Sequence, residues 1–310
     1  MSKVMRKPLW EEVIAGDAME NLPTPEPLID GVLYLESTAL IYGSPGVGKS
    51  FVALDWALSV ATGNDWDGHT VQHLPVLYVI GEGFGGMASR YVAWKRYHEV
   101  TSIPDMYFAP RAVDLQTQQG KEELYRAVDR TNASLVVLDT LARHIPGGDE
   151  NSFATVSHLV EVMDEIRRAT YGCVLGVHHP GKNAENGARG HSSLKGALDT
   201  EILCVKGPTL QVTKQKDHAD GHSLGSYQLL PVGESMVVAP RDSRPPGVND
   251  ELALACLNSE AISHGEWKVA AIAYGVPEGS FARARLRLVE SGQVIQEADT
   301  ATGETRYHLK

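Results

Sequence analysis

Cysteine is scarce here: Cys173, Cys204 and Cys256 are all the sequence has, an odd number at wide spacing. That excludes a disulfide framework, and the lack of partners at ligand spacing excludes a zinc site. The three read as ordinary buried or free thiols. Positive charge is also short, since 28 Lys and Arg against 39 Asp and Glu leave a net charge of −11. Sequence-independent affinity for nucleic acid comes from Lys and Arg neutralising phosphates, so the surface as a whole cannot coat a polyanion and any such contact has to be local. No apolar run is long enough to span a bilayer. Met1 to Lys7 carries positive charge, but Pro8, Trp10, Glu11 and Glu12 stand where a secretory leader needs an unbroken apolar stretch, so the expectation is a cytoplasmic protein with no membrane partner. Internal repeats and low-complexity tracts are absent too.

What is present is a chain of 310 residues, 43% hydrophobic, enough for one large core or two unequal ones. Residues 1–30 end in Asn21-Leu-Pro-Thr-Pro-Glu-Pro27, whose prolines favour extended or turn backbone, and read as an N-terminal arm. From there to residue 238, β-type runs alternate with amphipathic stretches, the pattern of parallel strands joined by crossover helices. The expected strands are Thr38 to Tyr42, Val76 to Ile80, Met106 to Ala109, Leu135 to Asp139, Val174 to His178 and Glu201 to Val205. Gln211 to Lys214 and Tyr227 to Pro231 suit an antiparallel extension at one sheet edge. The fold class is therefore α/β, a doubly wound, mainly parallel sheet over residues 31–238. Residues 239–249, with two adjacent prolines, read as a linker. In 250–310, Asp250 to Ser259, Glu266 to Tyr274 and Gly279 to Glu290 have helical spacing, and Gln293 to Ile295 and Thr305 to Leu309 suit a hairpin, the layout of a winged-helix domain.

The strongest motif is Gly43-Ser44-Pro45-Gly46-Val47-Gly48-Lys49-Ser50, which matches G-x-x-x-x-G-K-[ST] in full, follows an expected strand and opens an expected helix, Phe51 to Ala61. A loop of this composition turns backbone N–H groups inward around phosphates and adds the positive end of a helix dipole. Lys49 would reach the β and γ phosphates and the Ser50 hydroxyl would ligate Mg²⁺, making ATP and Mg²⁺ the expected cofactors. Leu135-Val-Val-Leu-Asp139 is an apolar strand ending in a carboxylate, the place for an Asp that holds Mg²⁺ through water. Thr140 follows rather than Glu, so the acid that activates water comes from elsewhere. Glu82, just beyond the strand Val76 to Ile80, is the candidate, because ligands of parallel sheets bind at the carboxyl ends of strands. The plainer reading of Glu82 is an exposed loop acid.

These residues form an ordered series with Arg90, Ala93-Trp94, Leu138-Asp-Thr-Leu141, Gly147-Gly-Asp-Glu-Asn151, Val177-His-His-Pro-Gly-Lys182, Arg189-Gly-His-Ser-Ser193, Asp199 and Lys214-Gln-Lys-Asp217. Over about residues 30–235 the series resembles the RecA-like ATPases related to plasmid replicative helicases of the RepA type, which recur in phage genomes. The resemblance implies a RecA-like core, a hexameric ring that hydrolyses ATP between subunits, and movement along single-stranded DNA, with a primase or polymerase as further partners. If phage-encoded, the protein would work in the bacterial host's cytoplasm. By the same resemblance Glu82 is the catalytic glutamate and His179 the sensor of the γ-phosphate. From the residues alone, either His178 or His179 suits contact with nucleotide or a structural place in the core.

The polar, glycine-rich stretch 182–193 offers Lys182, Arg189, His191, Ser192 and Ser193 as groups that can bond phosphates without reading bases, or else it is a solvated surface loop. Related helicases carry an arginine that reaches a neighbour's ATP near the segment that reads Ala197-Leu-Asp-Thr-Glu201 here, and this chain has acids there. Lys214 and Lys216 match the place where other ring helicases carry a basic pair, and are the trans-acting candidates. In the C-terminal unit, Arg283 and Arg287 lie one turn apart, with Ala282, Leu286 and Val289 expected to face inward. That suits DNA binding or protein docking equally. Two functions therefore stand: a DNA-dependent ATPase of the replicative-helicase type, and an ATP-switched loader, recombination mediator or regulator that does not unwind processively.

Overall fold

The computed structural model describes residues 9–11, 13–21, 25–148, 152–179, 196–216, 220–241, 248–258, 260–299 and 303–310. The chain divides into two compact units, Met1–Leu229 with Gly233–Arg241, and Leu230–Val232 with Asp242–Lys310.

The larger unit is built on a nine-stranded sheet whose order follows from crossover connections. In chain order its elements are β1 (Pro27–Ile29), β2 (Leu33–Tyr34), β3 (Ser37–Tyr42), α1 (Lys49–Thr62), β4 (Val76–Ile80), α2 (Phe84–Tyr97), β5 (Met106–Ala109), α3 (Gln118–Thr131), β6 (Leu135–Asp139), α4 (Phe153–Thr170), β7 (Cys173–His178), β8 (Thr200–Val205), β9 (Thr209–Gln215), β10 (Ser223–Val232) and β11 (Ser235–Pro240). The sheet reads β11-β10-β9-β8-β3-β7-β6-β4-β5. Strands from β8 to β5 pair parallel, while β9 pairs antiparallel with β8 and with β10. β3, β4, β6 and β7 are buried along their whole length, as expected of strands covered by helices on both faces. Leu77, Val79, Val136, Leu138 and Val174 pack with Leu124 and Val128 of α3 and Leu159 and Met163 of α4. The alternate residues of the same strands face the other side, where α1 packs on β3, β4, β6 and β7. This is the doubly wound, mainly parallel arrangement expected from the alternating pattern.

Three boundaries differ from the expectation. Pro27–Ile29, placed in the arm, is a strand, and Leu28 and Ile29 are fully buried because the chain enters the core one turn before β3. The edge extension has one more strand, β11, so Ala239 and Pro240 belong to the sheet rather than to the linker. β10 runs from Ser223 rather than Tyr227, because its leading residues, Ser223, Gly225 and Ser226, pair with β9 but carry no apolar pattern.

The smaller unit contains α5 (Val248–Leu254), β12 (Ile262–Ser263), α6 (His264–Ala273), α7 (Glu278–Glu290), β13 (Val294–Ala298) and β14 (Thr305–Leu309), with an antiparallel sheet in the order β12-β14-β13. Trp267, Phe281, Ala284, Leu288, Val294 and Tyr307 form its core. Ser263 and Glu266 close a reciprocal cap at the start of α6. The expected inward face of α7 is corrected here. Phe281, Ala284 and Leu288 point in and Val289 packs partly against them, as expected of it, but Ala282 and Leu286 are exposed, because the bulkiest apolar residue, Phe281, sets the rotation of the helix against Trp267. Among the described residues no helix is long and apolar enough to cross a membrane. Cys173 and Cys204 are buried free thiols and Cys256 is half-buried.

Candidate functional site

The site sits at the carboxyl ends of β3, β6 and β4. The chain leaves β3 at Tyr42, makes the loop 43–48 and enters α1 at Lys49. Gly48 is left-handed at φ 105°, and a Cβ on it would lie 2.8 Å from Cγ of Pro208, so only glycine lets α1 begin there. Lys49 is buried, and its Nζ donates to the carbonyls of Gly43 at 2.8 Å and Ser44 at 3.0 Å. Burial lowers its pKa, against the opposing pull of Cys204, Asp139 and Glu82. A cation held on the loop's own carbonyls beside a helix N-terminus is poised for an anion that would replace those carbonyls.

Asp139 ends β6 only 2% exposed, and the peptide that follows it to Thr140 is cis. Ser50 Oγ donates to its Oδ1 at 3.1 Å and Tyr78 OH donates to its Oδ2 at 2.7 Å. Burial raises the Asp139 pKa; the Tyr78 and Ser50 hydrogen bonds oppose it, Glu82 adds to it, and Arg90 works against it. Tyr78 itself is pushed well up, first by burial and then by Asp139, so it stays a neutral donor. A buried carboxylate oxygen facing a hydroxyl oxygen at a phosphate loop is a hard-oxygen donor set that fits Mg²⁺.

Around these groups lies a cavity of about 260 Å³ lined by Lys49, Ser50, Phe51, Glu82, Arg90, Thr140 and His179 together with the phosphate loop. Glu82 reaches it from the turn after β4, and its Oε2 accepts from Arg143 Nε at 3.1 Å. Arg90 comes from α2, with its guanidinium carbon 4.3 Å from the centre of the Phe51 ring, an arrangement that holds a cation over a π face. One turn later on α2, Trp94 Nε1 donates to Asp55 Oδ1 of α1 at 2.6 Å and fixes the two helices together.

The structure thus gathers Lys49, Ser50, Glu82, Asp139 and His179 with Gly43, Ser44, Pro45, Gly46, Val47 and Gly48 at one place. It also separates the two histidines. His179 is half-buried and lines the cavity, while His178 is buried in β7 opposite Tyr42. Lys214 is not at this cavity; its Nζ donates to the carbonyls of Leu198 and Gly196, and Lys216 pairs with Asp199 at 3.3 Å. Lys182, Arg189, His191, Ser192 and Ser193 lie outside the described residues. Arg283 is exposed on α7, whereas Arg287 is committed to Asp250. Reasoning from sequence did not assign Tyr78, Arg143 or Thr140 to the site, nor a role to Arg90. Tyr78 read as one more apolar strand residue. The signals available for Arg90 were its place in the series of motifs and its position two turns into the helix that follows Glu82.

No curated protein matches the chain. Among solved structures it is similar to a KaiC-like protein from the hyperthermophilic archaeon Pyrococcus horikoshii, at 15% identity and a TM-score of 0.48 over 69% of this chain and 94% of that one. The AAA domain family model (AAA_25) matches residues 4–185, more than half of the sequence, and includes the phosphate loop, Glu82, Asp139 and His179. With a complete phosphate loop set on a doubly wound sheet of the RecA-like type, the chain belongs to the AAA domain family of P-loop ATPases.

Proposed function

We propose that the protein hydrolyses ATP in a DNA-dependent manner and is a hexameric replicative helicase motor acting on single-stranded DNA in phage or plasmid replication. The observation that carries this reading is the meeting of Lys49, the Ser50–Asp139 pair, Glu82, Arg90 and His179 around one cavity. Lys49 and the first turn of α1 bind and orient the β and γ phosphates. Ser50 and Asp139 would hold Mg²⁺, which neutralises charge on the phosphate oxygens when bound. Glu82 orients a water for attack on the γ-phosphorus and takes its proton as the bond to the ADP oxygen breaks, releasing ADP and phosphate. Arg90 brings positive charge to the cavity from the same chain, which offsets the lack of an arginine in Ala197–Glu201.

The DNA half of the proposal rests on the RepA-type series of motifs. In it His179 senses the γ-phosphate, the stretch 182–193 that follows grips the strand in the pore of a ring, and the smaller unit is a winged helix. That unit's order of helix, strand, two helices and two strands supports the last assignment. One observation favours the second reading, an ATP-switched loader or regulator: Lys214 is turned onto the carbonyls of Gly196 and Leu198 of its own chain, and Lys216, though exposed, pairs with Asp199.

The test is ATP turnover with and without single-stranded DNA at low salt, for the wild type, Lys49→Ala and Glu82→Gln. Strong stimulation by DNA, and a loss of about a hundredfold or more in either variant, is the expected result. A slow rate indifferent to DNA would rule out the motor and leave the ATP-switched assembly protein.

A further inference from the structure

We propose that Tyr78 is a positioning residue for the metal-binding carboxylate: its hydroxyl holds one oxygen of Asp139 so that the other is presented to Ser50 and the cation. This rests on the reading of Asp139 as the residue that holds Mg²⁺ and adds to it a residue from the neighbouring strand.

Tyr78 is the central residue of β4, whose other members are Val76, Leu77, Val79 and Ile80. β4 and β6 pair in parallel, with Tyr78 opposite Val137 and Ile80 opposite Asp139. Leu77, Val79, Val136 and Leu138 face the core beneath α3 and α4, so Tyr78 and Asp139 share the opposite face, under α1. From two positions down the neighbouring strand the phenol reaches Asp139 Oδ2 at 2.7 Å, and its oxygen stands 3.5 Å from the Ser50 carbonyl. Oδ1 is left 3.1 Å from Ser50 Oγ.

The two carboxylate oxygens are therefore not equivalent. A phenol has one proton to give, and here Oδ2 takes it, while its ring is fixed by full burial and by Phe108 at 6.1 Å between centroids. The terminal torsion of an aspartate is broad and roughly two-fold, so without that bond the carboxylate could swing its Oδ1 away from Ser50. A phenol in a buried strand costs desolvation unless its hydroxyl is satisfied, and an aliphatic residue would fill the same place without that cost. The hydroxyl is satisfied by the one acceptor whose orientation the site needs.

Tyr78→Phe removes the hydroxyl and keeps the ring. Binding of a fluorescent ADP analogue to the full chain is titrated in EDTA and then at graded Mg²⁺, beside Asp139→Asn and the double variant. We expect Tyr78→Phe to bind the analogue in EDTA within about twofold of wild type and to need about tenfold more Mg²⁺ for half of the metal-dependent change, the usual scale for a residue behind a metal ligand. Adding it to Asp139→Asn should cost nothing further. A wild-type Mg²⁺ response in Tyr78→Phe, with the response lost in Asp139→Asn, overturns the assignment of Tyr78. So does a loss of analogue binding by Tyr78→Phe in EDTA, because the hydroxyl would then serve the fold. A wild-type response in Asp139→Asn overturns the reading of Asp139 instead.

Discussion

Arg143 Nε stands 3.1 Å from Glu82 Oε2, and the backbone beneath them is packed so that the two side chains meet. The Gly81 N–H donates to the Asp139 carbonyl, and a Cβ on Gly81 would lie 2.8 Å from Cβ of Arg143 and 2.9 Å from the Asp139 oxygen. Arg143, on the turn Leu141–His144 just after β6, therefore lies directly over the residue before Glu82. Both charged groups are solvent-accessible, at 60% and 42%, and an exposed pair of this kind holds with only about 0.2–1 kcal/mol.

That weak hold has a kinetic consequence. While Glu82 is paired it is less available to a water at the γ-phosphate, so Arg143→Ala should raise ATP turnover in the absence of DNA by up to about fivefold, the rate equivalent of the pair's energy. The melting temperature should move by no more than a few degrees, roughly the effect of 1 kcal/mol. Steady-state turnover and a thermal melt of the same preparation check this. A tenfold fall in turnover would instead place Arg143 in the chemistry.

Asp55 makes stability depend on pH. It is a buried carboxylate on α1 that accepts from Trp66 Nε1 at 2.8 Å and Trp94 Nε1 at 2.6 Å, with His98 Nε2 at 3.8 Å. Burial pushes its pKa from 3.8 up to about 7, against the two indole hydrogen bonds and helped slightly by Asp67. The folded pKa is above the unfolded one, so the folded chain binds this proton more tightly. The associated stability is complete below about pH 4 and is lost as pH rises through about 7. His144, whose pKa burial lowers from 6.5 to about 4, acts in the opposite sense below about pH 6.5, so the readout is the difference: the melting temperature of the wild type relative to Asp55→Asn should fall between pH 5 and pH 8. The same slope in both proteins would assign it to another group.

How much of this was legible beforehand follows from what each residue does. β4, β5 and β6 are strands at the bounds read from sequence because their apolar runs are short and flanked by turn residues, with β4 and β6 buried on both faces and β5 closing the sheet as a partly exposed edge. β11 went unseen because Val237, Val238 and Ala239 are followed by Pro240 and Arg241, and a proline beside a basic residue reads as linker. The start of the core at Pro27 was hidden for a similar reason, since a strand of three residues carries no period. The phosphate loop was fully legible because its chemistry lies in consecutive residues. The placement of Glu82 and Asp139 beside that loop followed from their position at strand ends. Tyr78 and Arg143 were not legible, because each acts through a partner 61 residues away, a separation that only the parallel register of β4 on β6 closes.

The two arginines of α7 show the same limit and yield a separable outcome. Spacing puts Arg283 and Arg287 on one helix face, as the reading of a DNA-binding helix requires, yet Arg287 donates to both oxygens of Asp250 on α5, at 2.8 and 2.6 Å. A bidentate, partly buried pair of this kind is directional and ties the last turns of α7 to α5, while Arg283 is exposed one turn earlier. Arg287→Ala should cost the smaller unit about 1–2 kcal/mol, seen as faster amide exchange in α5 and α7, and Arg283→Ala should leave exchange unchanged. If the unit contacts DNA through this face, Arg283→Ala should weaken binding and lower the salt dependence by about one phosphate contact. Unaltered exchange in Arg287→Ala would mean that the Asp250 pair does not hold the helices together, and would return Arg287 to the DNA-facing role that its spacing suggests.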